Sequence, residues 1–486
     1  MFPTVSYPLM LHVLIATILS LRVLYRKLQV NSALAWIVVL IAMPIGGPVL
    51  YVLFGDPSLG RRRLELGHRI RSYYEKAYAI AHADAADTDT IPAPFGALAA
   101  SIAKDSGFPV LSHNRYTLLS DAGDILESMA RDIDAAHCDC CLEFYIIDPR
   151  GRVEAVLEAV LRAAGRGVAC RILADDFGSK GFFRSDWPSR LKVAGVSVTR
   201  SLPVAPIRNF SKRTDLRNHR KQLICDRAVA YMGSFNLVDP HFFKADAHVG
   251  EWIDLMMRIE GQMVDALACV FHTDDLLDRP DTDIDDKALR ALPFDQQKPP
   301  LPEGRMLMQL LPSGPEMPSS TIYEVIVAGI FNARQRVRIV TPYFVPDQAV
   351  LLALTSAAKR GIAVQIIVPQ KGDSRMAQYA SQSAFDSLLE AGVEILRFSG
   401  GLLHAKALLI DESITVFGTV NMDMRSFYLN LEMSLLLYEP QASAQLDGIL
   451  DGYAARSRAI DPAAWKQRPW RQHFLENLFR LAGPLL

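Results

Sequence analysis

The 486-residue chain is too long for one ordinary domain, so two or three domains are expected. Half of its residues are hydrophobic, which is apolar for a soluble protein and turns attention to membrane segments. A net charge of −1 argues against a general nucleic-acid binder, and the six cysteines lack the paired spacing of zinc sites, so buried thiols in a reducing compartment are expected.

Tyr7 to Tyr25 is almost wholly apolar, with His12 and Arg22 as exceptions, and Ser32 to Phe54 carries no charge. A bilayer core needs about 20 apolar residues in a helix, so the two stretches read as a transmembrane hairpin with Arg22, Arg26 and Lys27 in its turn. The run "PIGGP" at Pro44 to Pro48 should kink or break the second span. Trp36 and Tyr51 suit the interface near each end of that span. A cleaved signal peptide is the competing reading, but "MFPTVSY" has no basic side chain. A buried core hairpin is another. Beyond the second span lie Arg61, Arg62, Arg63, Arg69, Arg71 and Lys76, six basic residues against three in the turn. The positive-inside rule then predicts cytoplasmic termini.

His82 to Pro94 reads as a short polar linker, and globular sequence is expected from about Phe108. The stretch "CCLEFYIIDPRGRVEAVLEAVLRAAGRGVACRILADD" changes from strand period to helix period and back, the signature of a βαβ unit. "VRIVTPYFVPDQAVLLALTSAAKRGIAVQIIVPQ" has the same order much later. Each unit leads to a matching motif. His219, Lys221, Asp226, Gly233, Ser234 and Asn236 correspond in spacing to His404, Lys406, Asp411, Gly418, Thr419 and Asn421. The chain therefore contains a two-fold repeat, too long for a solenoid, and two α/β domains packed as a pseudo-dimer are expected, with Asp295 to Gly304 as their boundary.

In each motif the His and the Lys are two apart on a strand, so they share one face. A lone pair of this kind would be unremarkable. Two pairs brought together by a pseudo-two-fold axis offer two imidazoles and two ammoniums to an anionic phosphodiester. One imidazole can attack phosphorus while the other protonates the leaving alkoxide and then deprotonates the incoming hydroxyl. The glycines permit a tight turn, and the Ser or Thr and the Asn beyond them offer short polar groups. Neither metal nor nucleotide fingerprint is present, and exchange of one phosphodiester for another requires neither.

This doubled H-x-K-x4-D resembles the phospholipase D superfamily. The resemblance implies an α/β fold of two tandem phospholipase D-like α/β/α domains forming a pseudo-dimer, preceded here by the transmembrane helical hairpin. It implies a phosphohistidine intermediate and a catalytic set of His219, Lys221, Asp226, His404, Lys406 and Asp411, with Asp226 and Asp411 read as structural members of the motif. It also implies a carboxylate beyond each Asn that bonds a histidine: Glu432 in "NLEMSLLL", and either Asp254 or Glu251 in "GEWIDLMMRIEG". Ser234, Asn236, Thr419 and Asn421 would support the site. "ALAWIVVLIAMPIGGPVLYVLFGD", "QLLPSGPE", "GTVNMDMRSFYLNLE" and "LENLFRLAGPLL" resemble the membrane-anchored cardiolipin synthases of bacteria. That implies phosphatidylglycerol as substrate, cardiolipin as product, no cofactor, no nucleic acid, and a multi-pass inner-membrane protein with cytoplasmic catalytic domains. The expected layout is a hairpin at 1–57, a basic juxtamembrane segment and linker at 58–107, and domains at 108–297 and 298–486. A lipid hydrolase or a phosphatidylserine synthase is the alternative on the same fold; a nuclease and a non-catalytic scaffold are less consistent with the anchor and the intact motifs.

Three further features have two readings each. Arg208 to Lys221 holds six basic residues and one acid, either a solvated loop or a collar for anionic headgroups, with Phe210, Lys212 and Arg213 at its centre. Trp470, Phe474, Leu478 and Leu481 share one helical face, on a helix that either docks on the domain or lies on a membrane surface. Tyr343, Phe344 and Phe427 are either core aromatics or pocket lining.

Overall fold

The computed structural model describes residues 7–26, 30–55, 95–203, 215–247, 249–279, 306–315 and 321–481, with isolated positions between these segments. The N-terminal helices and the globular body are separate units. Lys27, the juxtamembrane basic residues other than Arg69, most of the 82–94 linker, the 295–304 boundary apart from Gly304, and the loop residues Phe210, Lys212 and Arg213 lie outside the described residues.

Helix α1 (Tyr7–Tyr25) is long and apolar enough to cross a bilayer. The second apolar stretch is two helices, α2 (Val30–Ala42) and α3 (Gly46–Phe54). The break falls at the "PIGGP" run, as the sequence suggests. Gly47 is required there: a Cβ would sit 2.5 Å from the carbonyl oxygen of Val39. Val23, Leu40 and Tyr51 form a small buried cluster. Trp36 and Tyr51, expected near opposite ends of the span, instead meet edge to face with centroids 5.4 Å apart, because the break folds α3 back on α2.

The body contains two main sheets. The first orders its strands β1 (Asn114–Leu119), β8 (Met256–Gly261), β6 (Val229–Gly233), β5 (Lys221–Cys225), β2 (Asp139–Phe144), β3 (Ala169–Asp175) and β4 (Ser197–Ser201). The second runs β9 (Met308–Ser313), β18 (Glu432–Leu437), β16 (Ile414–Gly418), β15 (Ala407–Ile410), β10 (Arg336–Val340), β12 (Ala363–Pro369) and β13 (Glu394–Phe398), with β19 (Ser457–Ala459) added at the edge. The first seven positions match one for one, so the repeat seen in the sequence is a repeat of topology. Two short parallel pairs complete the strands: β7 (Trp252–Ile253) with β14 (Leu402–Leu403), and β11 (Phe344–Val345) with β17 (Met422–Asp423).

Apolar residues fall into three large cores. Outer faces of the two sheets are covered separately, the first by helices including Ala122–Asp134 and Val153–Gly165, the second by helices including Thr321–Asn332 and Gln348–Lys359. A third core holds residues of both sheets together with the helix Gln262–Asp278, which is buried on nearly all sides, and the helix Pro440–Ala455. Such all-round burial requires an apolar helix between two layers. Fusion through this core is what brings the two motifs to one place. The helix Phe95–Ser106 departs from expectation: rather than belonging to a linker, it packs Phe95, Ala99 and Ile102 into the outer core of the second half. All six cysteines are free thiols, five of them buried.

Candidate active site

Each histidine lies just before a strand, β5 starting at Lys221 and β15 one residue beyond Lys406. The backbone N–H of His219 donates to Leu431 O, and that of His404 to Ile253 O, both at 2.8 Å. Both bonds run from one half of the repeat to the other. They set the side chains of the next residues, Glu432 and Asp254, against the facing histidine. His219 Nδ1 bonds Glu432 Oε2 at 2.8 Å, and His404 Nδ1 bonds Asp254 Oδ1 at 2.7 Å. The carboxylates implied by the resemblance are thus crossed between halves. Glu251, the alternative to Asp254, is exposed and 3.3 Å from His241. It takes no part in the pair.

The motif glycines serve a close approach rather than a turn. A Cβ on Gly233 would lie 2.4 Å from Leu255 O, and one on Gly418 would lie 2.3 Å from Met433 O. Those are the residues that follow Asp254 and Glu432. The next hydroxyl then fastens the contact: Leu255 N donates to Ser234 Oγ at 3.0 Å and Met433 N to Thr419 Oγ1 at 2.9 Å. Ser234 and Thr419 therefore hold the carboxylates in register.

Asp226 and Asp411 lie beyond the far ends of β5 and β15, away from the histidines. Asp226 accepts backbone N–H bonds from His137, Cys138 and Asp139, and Asp411 from Arg334, Gln335 and Arg336. Both adopt left-handed backbone, at φ 52° and 54°. They pin the start of the adjacent antiparallel strand, β2 or β10; neither lines the cleft. Their place in a catalytic set is corrected on that ground, and the structural reading of the motif's third member fits the geometry.

His219, His404, Asn236 and Asn421 line one cleft of about 470 Å³ between the halves. Lys221 and Lys406 are buried beside it, and each Nζ donates to the carbonyl of its own histidine at 2.5 Å. Burial pushes Lys221 down to about 7 and Lys406 down to about 8, although Glu432 and Asp254 pull the other way. Burial likewise pushes both imidazoles down to about 4, against the attraction of their carboxylates. Burial disfavours charge on Glu432 and Asp254 too, but their histidines and the lysines outweigh it and hold both below the usual range. An ionised carboxylate only accepts, so each Nδ1 carries the proton and each Nε2 keeps its lone pair. The apo site is a pair of neutral nucleophile-competent imidazoles in a poorly solvated cationic pocket. It is suited to hold an anionic phosphoryl group and exchange the alcohols attached to it.

Other lining residues escaped the sequence. Tyr145 stacks edge to face on His219 at 4.9 Å, and Trp252 lies 4.4 Å from His404. Lys244 pairs with Asp373 across the halves at 3.0 Å, and Asp373 also accepts from Tyr343 Oη at 2.6 Å. Arg217, Asp423 and Arg425 complete a charged wall. Strand alternation in "EWIDL" could have flagged Trp252, which shares a face with Asp254. Of the three aromatics singled out in the sequence, Tyr343 lines the cleft, whereas Phe344 and Phe427 belong to the second half's core. Far from the cleft, ligand atoms of Asp139, Cys141 and His272 lie within 4.8 Å of one another. Arg171 donates to His272 Nδ1 at 3.2 Å, so that nitrogen is already engaged by a cation.

Comparison with known proteins bears on this geometry. A domain described as "Cardiolipin synthase, PLD-like domain" matches twice, at residues 129–249 and 326–453. A "Phospholipase_D-nuclease N-terminal" segment matches 15–55. Cardiolipin synthase A of Yersinia pseudotuberculosis (serotype O:1b, strain IP 31758) is 37% identical over 479 residues, covering 96% of this chain and 95% of its own. The same values hold for cardiolipin synthase A of Yersinia pestis. Among solved structures, phosphatidylserine synthase of Haemophilus influenzae Rd KW20 superposes with a TM-score of 0.58 at 15% identity, over 78% of this chain and 97% of its own, a likeness of fold.

Proposed function

The chain belongs to the cardiolipin synthase family of phospholipase D-like proteins, and from that premise we propose that it joins two phosphatidylglycerols into cardiolipin, releasing glycerol. The observation that carries this reading is the crossed pair of histidine–carboxylate couples in one cleft with two buried lysines.

The phosphodiester of the first lipid enters between the imidazoles, and its negative charge favours the ammonium forms of Lys221 and Lys406 against the burial that disfavours them. One Nε2 attacks phosphorus. The P–O bond to glycerol breaks as the other imidazole, protonated in the bound complex, gives its proton to the leaving oxygen. A phosphatidyl-histidine and free glycerol result. The primary hydroxyl of the second phosphatidylglycerol then loses its proton to that same imidazole and attacks phosphorus. The P–N bond breaks, cardiolipin leaves, and both imidazoles return to their starting state. One phosphodiester of a primary alcohol replaces another, so no nucleotide has to drive the exchange. Glu432 and Asp254 stabilise whichever imidazolium forms and fix its tautomer. Asn236 and Asn421 orient the phosphoryl oxygens.

We further place the body on the cytoplasmic side of a bacterial inner membrane, anchored there by α1 and the folded-back pair α2–α3. The six basic residues from Arg61 to Lys76 support that orientation. An alkaline phosphatase fusion after residue 80 should be inactive, and high periplasmic activity would reverse the assignment. For the chemistry, the purified protein in phosphatidylglycerol vesicles without ATP, CTP or metal should release glycerol and cardiolipin in equal amounts. Phosphatidic acid in place of cardiolipin would assign water as the acceptor and make the protein a hydrolase.

A further inference from the structure

The C-terminal helix Trp470–Arg480 packs the wrong way round for an ordinary docked helix. Glu476, its one acid, is 1% exposed, held by Arg468 Nη2 at 2.8 Å and by Gln472 Nε2 at 2.9 Å. Arg468 reaches on to Asp386 at 2.7 Å. Phe479 stacks on Tyr379 of the helix Arg375–Gln382, with centroids 5.7 Å apart. The helix is therefore fastened mainly through a polar face. Its apolar stripe points out: Trp470 is 73% exposed, Phe474 59%, Leu478 46% and Leu481 76%. A surface helix normally buries that stripe against its own protein, and a row of large exposed apolar side chains marks a contact surface.

We propose that this face lies in the surface of the anionic bilayer that carries the substrate, and that it holds the cleft wall against that surface. Three observations favour a lipid surface over a protein partner. The first is charge. With Glu476 buried in its ion pair, the charged side chains left exposed on the helix are Arg471 and Arg480. An apolar stripe flanked by arginines fits the boundary of an anionic membrane. The second is position. The helix is braced on the 375–382 helix, whose cap Ser374 and whose Ala377 line the cleft. Met376 on that same helix is 43% exposed beside exposed Arg375, which continues the apolar and basic character toward the site. The third is volume. This part rests on the proposed function: a cleft of about 470 Å³ admits headgroups but not the acyl chains of two phospholipids, so those chains stay in the bilayer during the reaction. The element at the cleft wall must then meet that bilayer.

The test uses the full chain reconstituted in phosphatidylglycerol vesicles whose acyl chains carry bromine. Bromine should quench a component of the tryptophan emission that Trp470→Phe removes, whereas Trp36 supplies a background common to both proteins. Equal quenching in wild type and variant would overturn the proposal. So would a dimer broken by Trp470→Ser, with Trp470 unquenched, which would assign the face to a second copy. The triple variant Trp470→Ser/Phe474→Ser/Leu478→Ser should lose ~10-fold or more of its turnover on vesicles. It should keep wild-type turnover on monomeric dihexanoyl phosphatidylglycerol. Equal losses on both substrates, or no loss on either, would count against the membrane role. If the wild type quenches as expected but makes no cardiolipin from either substrate, the surface contact stands and the catalytic reading falls.

Discussion

His219 and His404 occupy equivalent points of the repeat, but their surroundings differ. His219 rests on Tyr145 of its own half, and its carboxylate Glu432 also accepts from Ser426 Oγ at 2.9 Å and Asn430 Nδ2 at 3.3 Å. His404 rests on Trp252 of the other half, and its carboxylate is the shorter Asp254. Trp252 and Asn430 stand two residues before their respective carboxylates, an indole in one half and an amide in the other. The backbone frame is thus kept nearly symmetric while the side chains diverge. That suits a reaction in which one imidazole must bond to phosphorus and the other must only move protons. The comparison teaches that duplication supplies the second histidine within a shared frame, while the side chains around the two have diverged.

The largest effect expected is on the histidines. His219→Ala and His404→Ala should each lower cardiolipin formation by ~10³-fold or more, since nucleophile and acid–base are both required. Lipid mass spectrometry reads this directly, and substantial turnover in either variant would break the shared-site account. Lys221→Met and Lys406→Met should each cost ~10²–10³-fold in kcat, as for other preorganised charges at a transition state. Turnover per folded molecule is the readout, because removing either cation also leaves the buried Glu432 and Asp254 less compensated. Loss of folding in parallel with activity would make the lysines structural.

The crossing itself is tested by thermodynamic coupling. Asp254→Asn with His404→Gln should be non-additive in unfolding free energy by ~1–2 kcal/mol, whereas Asp254→Asn with His219→Gln should be additive within ~0.5 kcal/mol. The reverse pattern would mean that each half supplies its own carboxylate. Asp226→Asn and Asp411→Asn should each cost ~1–3 kcal/mol of stability through weakened charge-assisted bonds, with turnover per folded molecule retained. A kcat loss at unchanged Tm would return these residues to the chemistry.

The last effect, on stability alone, is a pH dependence. Both buried imidazoles protonate near 4 in the folded protein but near 6.5 when unfolded, so the unfolded chain binds more protons between those values. Stability should therefore fall as pH drops from about 6.5 to about 4. The lowered carboxylates Glu432 and Asp254 add to the same trend, since their contribution is present above the unfolded pKa and is lost as pH falls. Thermal melts should show a shallower acid limb in His219→Gln/His404→Gln. An unchanged limb would place the acid-sensitive groups elsewhere.

Much of this was legible because it is local. The H-x-K pairs, the Gly–Ser/Thr–x–Asn that follows and the βαβ units are patterns within a few dozen residues, and the duplication made accident untenable. What remained hidden depends on contacts between distant segments. The exchange of Asp254 and Glu432 between halves is made by β7 pairing with β14, and by Asn218 bridging to Leu431. No single stretch records either contact. Gly233 and Gly418 read as turn residues because the motif does not record the pairing of their strands with β8 and β18, which brings Leu255 and Met433 against them. The helix Phe95–Ser106 was read as part of a linker for the same reason: its apolar face is completed by Leu311 and Ile322, some two hundred residues away. Tyr145, Lys244 and Asp373 belong to no motif, and only the closed cleft gathers them.

The most direct test of the central claim, two histidines serving one centre by double displacement, is the configuration at phosphorus. Phosphatidylglycerol made chiral at phosphorus with oxygen isotopes would be converted and the cardiolipin analysed at the transferred centre. Retention is predicted, because attack by histidine and then by the second lipid each invert once. Inversion would mean a single direct displacement, and would contradict the phosphohistidine on which the account rests.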